Sequence, residues 1–242
     1  MEKTLEVRWF FEGLSPTIVE DWFKFECPGK LVREVEKRKD WYACQQHSDW
    51  QQSLEHLSPS LDPKSINLKL RDRAVEEFSQ NSYCEGNQGD LELKLRQEKL
   101  GTHQFARSKH SLRCEGNIEQ WCKFSQKELE KLNFRPDFPK ITWVGVEKER
   151  RKRIERDVKS ELTKLKLDRD GVIDCKSCWW TIAFEMTQKN GDGRSLDRFK
   201  EVVEQACKTC PEPQLLAINS YGYSHWLLER NFTILSLKNS SN

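Results

Sequence analysis

Residues 91–97 read LELKLRQ, and residues 66–73, one short segment earlier, read INLKLRDR. Successive side chains of a β-strand point to opposite faces, so Leu91, Leu93 and Leu95 share one face while Glu92, Lys94 and Arg96 share the other. The same parity sets Ile66, Leu68 and Leu70 against Lys69, Arg71 and Arg73. One face of each strand is built for burial and the other collects charge. The Gly- and Asn-containing stretch between them, NSYCEGNQGD, predicts a turn that makes the two strands antiparallel neighbours.

Other segments repeat the period. Residues 4–11 put Leu5, Val7, Trp9 and Phe11 on one face and Thr4, Glu6, Arg8 and Phe10 on the other. Residues 31–43, LVREVEKRKDWYA, alternate as a strand. ITWVGVEKERRKRIERD begins as one, with its basic run fitting either an exposed charged helix or a nonspecific basic patch. LTKLKLDRDGVIDCKSCWWTIAFEM holds two more strands around an Asp-Gly turn. Helices are fewer: TIVEDWFKF after Ser15-Pro16, SQKELEKLNF opened by a capping box at Ser125 and Glu128, and SLDRFKEVVEQACKTC with Ser195 as expected N-cap. Residues 45–65 read as loop, and QLLAINSYGYSHWLLERN mixes signals. With no low-complexity linker, the chain reads as one α+β domain over residues 1–242, an antiparallel sheet curled toward a barrel with flanking helices.

Charge narrows the function classes. Lys and Arg total 41 against 39 Asp and Glu, a net +2, which gives no bulk electrostatic reason to expect nucleic acid or a membrane surface as partner. No apolar run is long enough to span a bilayer and the N-terminus lacks a signal-peptide core, so a cytoplasmic location is expected. A cationic site must come from local arrangement. If the leucine faces pack outward against helices, the charged faces enter a barrel lumen, where Arg8, Lys69, Arg71, Lys94, Arg96, Lys148 and Arg150 suit phosphate oxygens. Glu6, Glu92 and Glu185 would add hard oxygen ligands for a divalent cation. The other reading is a sheet with one ordinary solvated face.

The order of these segments resembles that of the CYTH or triphosphate tunnel family: LEVR, KRKDWYA with INLKLRDR, DLELKLRQ, VEKERRKR, WWTIAFEM and SYGYSHWLLE. The resemblance spans nearly the whole chain through short motifs. It implies an antiparallel barrel whose lumen binds a triphosphate or polyphosphate, or a nucleotide-like small molecule carrying one, with Mg²⁺ or Mn²⁺. In the family such proteins include triphosphatases and adenylate cyclases. The implied phosphate wall is Arg8, Lys69, Arg71, Lys94, Arg96, Lys148 and Arg150, with Arg153 as a looser addition and Asp40 and Tyr42 in the expected place. The implied metal and catalytic carboxylates are Glu6 and Glu185, helped by Glu92. The family pattern puts two further carboxylates at positions that are Thr4 and Ala183 here, which leaves open hydrolysis of a terminal phosphoanhydride or binding without turnover.

Nine cysteines, an odd count, fit free thiols in a reducing compartment. Cys175, Cys178, Cys207 and Cys210 form two C-x-x-C pairs and could supply a tetrahedral zinc shell, although their separation exceeds the roughly 15–20 residues of a zinc ribbon. Free thiols are the alternative. The five histidines share no ligand spacing, and Trp41, Trp121, Trp143, Trp179 and Trp180 read as core or tunnel-end packing, with base stacking a second role for Trp121.

Overall fold

Period-two alternation runs through nine strands among the residues that the computed structural model describes, which are 2–44, 66–71, 90–105, 114–134, 142–169, 172–189, 192–211 and 213–229. The strands are β1 (Glu2–Glu12), β2 (Lys30–Leu31), β3 (Glu36–Cys44), β4 (Ile66–Arg71), β5 (Asp90–Phe105), β6 (Cys114–Ser125), β7 (Thr142–Glu155), β8 (Val158–Arg169) and β9 (Val172–Thr187). The order β7-β3-β4-β5-β6-β1-β9-β8 returns to β7, and every pairing is antiparallel, so eight strands close a barrel. The short β2 pairs with β7, at Ile154 and Arg153. Closure removes the unpaired edges that an open sheet exposes.

Leucines on the outer wall explain the helices. Leu5, Val7, Trp9, Leu162, Ile182 and Phe184 form one buried cluster with Val19, Trp22 and Phe23 of α1 (Thr17–Phe25) and Phe199, Val202, Val203 and Ala206 of α3 (Ser195–Thr209). Trp22 donates its indole N–H to Thr209 Oγ1 at 2.9 Å, tying the two helices together. The six alternate apolar residues of β4 and β5 pack as a second cluster with Phe124, Phe134 and Leu129 of α2 (Gln126–Lys131). The solvated-face reading is therefore wrong for these strands: their leucines face outward under cover and their charges face inward.

Several expectations need adjustment. The segment 31–43 divides into β2 and β3, and the basic run 148–153 lies wholly within β7 rather than on a helix. β6, CEGNIEQWCKFS, is a strand that its sequence conceals, because Gly116, Asn117 and Glu119 dilute its alternation. The capping box at Ser125 and Glu128 is present. Ser195 is the first helical residue of α3 and donates to Asp192 O, with Arg194 at the N-cap position. The loop 45–65, the turn expected between the two LKLR strands and the Asp170-Gly171 turn lie outside the described residues.

The final segment closes one end of the barrel. A short helix at 223–229, α4, brings in Tyr223 and Trp226. Tyr223 stacks on Tyr42 with ring centroids 5.2 Å apart, and Trp226 stacks on Phe10 at 4.9 Å and meets Trp179 edge-on. Together with Val144, Val146 and Leu165 they form an apolar plug. Among the described residues, no helix is long and apolar enough to cross a membrane.

Candidate phosphate-binding tunnel

Above the plug the lumen is polar. Its cavity, about 460 Å³, is walled by nine basic side chains and five carboxylates. Of the sequence-derived residues, the structure gathers Glu6, Arg8, Lys69, Glu92, Lys94, Lys148, Arg150 and Glu185 on this wall. Tyr42, in its expected place, lines it too, and the wall adds Glu36, Arg38, Asn67, Lys123, Lys152, Lys159, Glu161 and Tyr223, to which the sequence alone assigns no phosphate role. Arg96 is not on the wall. It turns to Glu119 at 2.8 Å and lies 5.9 Å from the Trp121 ring, just before a β5 bulge. Arg71 lies in register opposite Asp40, with its side chain outside the described set. Arg153 points outward, donating to the carbonyls of Phe23, Lys24, Pro28 and Gly29 and so holding the end of α1.

Deepest in the cavity, Lys148 Nζ donates to Asp40 Oδ2 at 2.8 Å and to Tyr42 Oη, and lies 3.8 Å from the centroid of the Tyr223 ring. Burial draws its pKa down to about 7, with Asp40 opposing and Arg38 and Arg8 adding to the fall. Asp40 is fully buried; burial works against its charge, but Lys148, Lys69 and Arg38 hold its carboxyl far below the usual range. Arg38 clasps it with Nε and Nη2, both at 3.1 Å.

Midway, Glu161 of β8 bridges two arginines, 3.5 Å from Arg8 Nη2 and 2.7 Å from Arg150 Nη1. Burial opposes its ionisation, yet Arg150 and Arg8 overcome that and keep it ionised. Arg150 Nη2 also reaches both oxygens of Glu36 at 2.8 Å, while its Nε has no hydrogen-bond partner among the described residues. Sequence could have found Glu161, since in SELTKLKL it shares parity with Thr163, but one Glu beside alternating Lys and Leu carries no signal that sets it apart from a surface residue.

Toward the open end, Glu6 and Glu185 are direct cross-strand partners. The Lys94 ammonium is bonded to Glu6 and lies 3.6 Å from Glu185 Oε2. Burial lowers the Lys94 pKa, but Glu185, Glu6 and Glu92 outweigh it and hold it above the ordinary value. Lys94 in turn keeps Glu185 below its ordinary value. Glu92 serves Lys69 at 2.7 Å and Lys123 at 3.4 Å.

The fit for a divalent metal is poor. Glu6 and Glu185 already share an ammonium, Glu92 faces two lysines, Thr4 offers a hydroxyl that donates to Glu6 at 3.2 Å, and Ala183 offers no oxygen. Among the described residues no group of three His, Cys, Asp or Glu side chains could hold a metal ion. The zinc set also fails at one member: Cys207 is disulfide-bonded to Cys114, which further departs from the all-thiol expectation. Cys178 and Cys210 lie outside that disulfide, and the Cys175 side chain lies outside the described set.

No family model matches the chain, and no curated protein does. Among solved structures, the chain is similar to a conserved hypothetical protein of Pyrococcus furiosus, at 12% identity over 92% of this chain and 98% of that one, with a TM-score of 0.41. It is similar to a chain of the Schizosaccharomyces pombe Mediator head module at 8% identity, over 83% and 90%, with a TM-score of 0.42. A third likeness is to the RNA triphosphatase domain of a mimivirus mRNA capping enzyme, at 12% identity over 83% and 89%, with a TM-score of 0.40. None of these assigns an activity, so the functional reading rests on the residues of the tunnel.

Proposed function

We propose that this chain binds the phosphate chain of a triphosphate- or polyphosphate-bearing small molecule inside its barrel. The observation that carries the reading is the cavity of about 460 Å³, plugged at one end, with nine basic side chains against five carboxylates on its wall. That volume lies within the roughly 300–1,000 Å³ of small-molecule sites. The basic groups come from β1, β3, β4, β5, β6, β7 and β8, so donors converge on the lumen from most of its circumference. Without ligand, the carboxylates hold these cations in place. A polyanion would compete for them, drawing on guanidinium forks at Arg8, Arg38 and Arg150 and point charges at Lys69, Lys94 and Lys148.

Calorimetric titration with tripolyphosphate, ATP and thiamine triphosphate tests this. The expected result is one site per chain whose affinity falls with added salt, and no heat of binding for any of the three would sink the proposal. The cross-strand placement of Glu6 and Glu185 favours a second reading, hydrolysis of the terminal phosphoanhydride with Mg²⁺ or Mn²⁺. It requires Lys94 to leave their carboxylates. Phosphate release in the presence of either metal would establish it.

A further inference from the structure

Glu6 and Glu185 form the carboxylate pair at which the tunnel resemblance expects a divalent cation, and the pair already holds a cation. Lys94 reaches from β5 across the lumen, bonds to Glu6 and lies 3.6 Å from Glu185. All three side chains are largely buried, with exposures of 10% for Lys94, 15% for Glu6 and 17% for Glu185. Thr4, fully buried, donates to the same Glu6 oxygen that Lys94 bonds, so that oxygen is saturated from two sides. Ala183, also buried, leaves an apolar methyl where a third or fourth metal oxygen would be needed.

We infer that Lys94 is the resident cation of the Glu6–Glu185 pair, and that the tunnel therefore takes its phosphate ligand without a divalent metal. This rests on the phosphate-tunnel reading and specifies how that site works. A metal bound between the two carboxylates would need its oxygens at about 2.0–2.6 Å, which places it against the ammonium and repels it. Moving Lys94 aside would leave a buried ammonium unpaired. An ammonium has three donors; one serves Glu6, Glu185 stands at ion-pair distance, and a further donor can reach a phosphate oxygen. The residue thus joins the carboxylates to the ligand as a bridging metal would, with a single fixed charge and no bound water to activate.

Two measurements on the full chain test this. In the first, tripolyphosphate is titrated by calorimetry in EDTA and then with Mn²⁺ or Mg²⁺. The expected affinity in EDTA is within about twofold of the best value in any metal. A fall of about tenfold or more in EDTA would overturn the Lys94 inference while leaving the phosphate tunnel standing. Absence of binding in every condition would instead sink the tunnel reading.

The second measurement, Mn²⁺ alone followed by electron paramagnetic resonance, decides the role of Lys94 whatever the first one gives. The unaltered chain should leave millimolar Mn²⁺ free. Lys94→Ala should acquire one Mn²⁺ site, at least about tenfold tighter, that Glu185→Gln on the same background removes. A stoichiometric Mn²⁺ site in the unaltered chain that Glu185→Gln abolishes would refute the inference, as would a folded Lys94→Ala with no gain. If Lys94→Ala fails to fold, the unaltered chain and Lys94→Gln provide the same comparison.

Discussion

Lys69 and Glu92 face each other as direct partners across β4 and β5, with Nζ and Oε1 2.7 Å apart and both side chains largely buried in the lumen. The second Glu92 oxygen lies 3.4 Å from Lys123 of β6. One carboxylate thus restrains two of the cations assigned to the phosphate chain. Glu92→Gln should lower the stability of the ligand-free protein by about 1–3 kcal/mol, below the full cost of breaking a dry buried pair because the cavity admits water. It should strengthen tripolyphosphate binding several-fold, since Lys69 and Lys123 no longer have to leave a carboxylate. Urea melts and calorimetry measure the two effects, and weaker binding in Glu92→Gln would show that the carboxylate contributes directly to the site.

Arg153 supplies a contrast from the same basic run. Its guanidinium reaches four backbone carbonyls at the end of α1 and the following turn, including Phe23 and Lys24, so it satisfies acceptors that helix geometry leaves open. Arg153→Ala should cost about 1–3 kcal/mol of stability. Arg153→Lys should recover little of it, because a point charge cannot replace a fork. Phosphate affinity should be unchanged in both variants, and a selective loss of affinity in the well-folded Arg153→Lys protein would return this residue to the phosphate wall.

Acid should unfold the barrel from its lumen. Glu36 is held down to about 2: burial opposes its charge, but Lys152 and Arg150 prevail. Glu161 is held down in the same sense by Arg150 and Arg8. A depressed carboxyl pKa contributes stability that is fully present above the unfolded value, 4.5, and is lost as pH falls through the folded one. Stability measured by denaturant should therefore fall steadily from pH 4.5 toward 2. Glu161→Gln should remove part of that slope while costing about 2–4 kcal/mol at neutral pH, and an unchanged slope would mean that Glu161 is not the bridge between the arginines.

Much of the barrel was legible because its strands obey a strict period of two, and the pairing of INLKLR with LELKLR could be read directly. Inward orientation of the charged faces was not, since a solvated sheet writes the same alternation. Closure decides between the two, and closure depends on β6, whose Gly116, Asn117 and Glu119 hide a strand. Gly116 is needed there: an added Cβ would come within 2.5 Å of the Trp9 ring and 2.6 Å of Val7.

Single-residue roles were less legible for a related reason. Lys94 and Arg96 are two residues apart on one strand and share its parity, yet Arg96 pairs with Glu119 while Lys94 reaches the cavity wall. The C-x-x-C spacing likewise could not reveal that Cys207 on α3 meets Cys114 on β6. Contacts between distant elements leave no periodic trace.

Lys148 provides the sharpest pH test of the tunnel. It sits over the Tyr223 ring at the closed end, and burial, with Arg38 and Arg8 nearby, lowers its pKa from 10.5 to about 7 against the pull of Asp40. Between those values the unfolded chain keeps a proton that the folded chain has lost, so this residue makes the ligand-free protein more stable as pH rises through that window. A bound phosphate acts in the opposite direction. Its negative charge favours the ammonium, so binding above pH 7 should draw a proton onto Lys148, and the lysine's contribution to affinity should decline as pH rises. Titrating tripolyphosphate at pH 8 in two buffers of different ionisation enthalpy measures that uptake. Protonation changes of the ligand itself are common to the unaltered protein and Lys148→Met, so the difference between them isolates the lysine. The unaltered protein should take up a substantial fraction of a proton more than the variant, as a group whose pKa lies below the working pH would on becoming fully charged. Equal uptake would place the phosphate chain away from the plugged end.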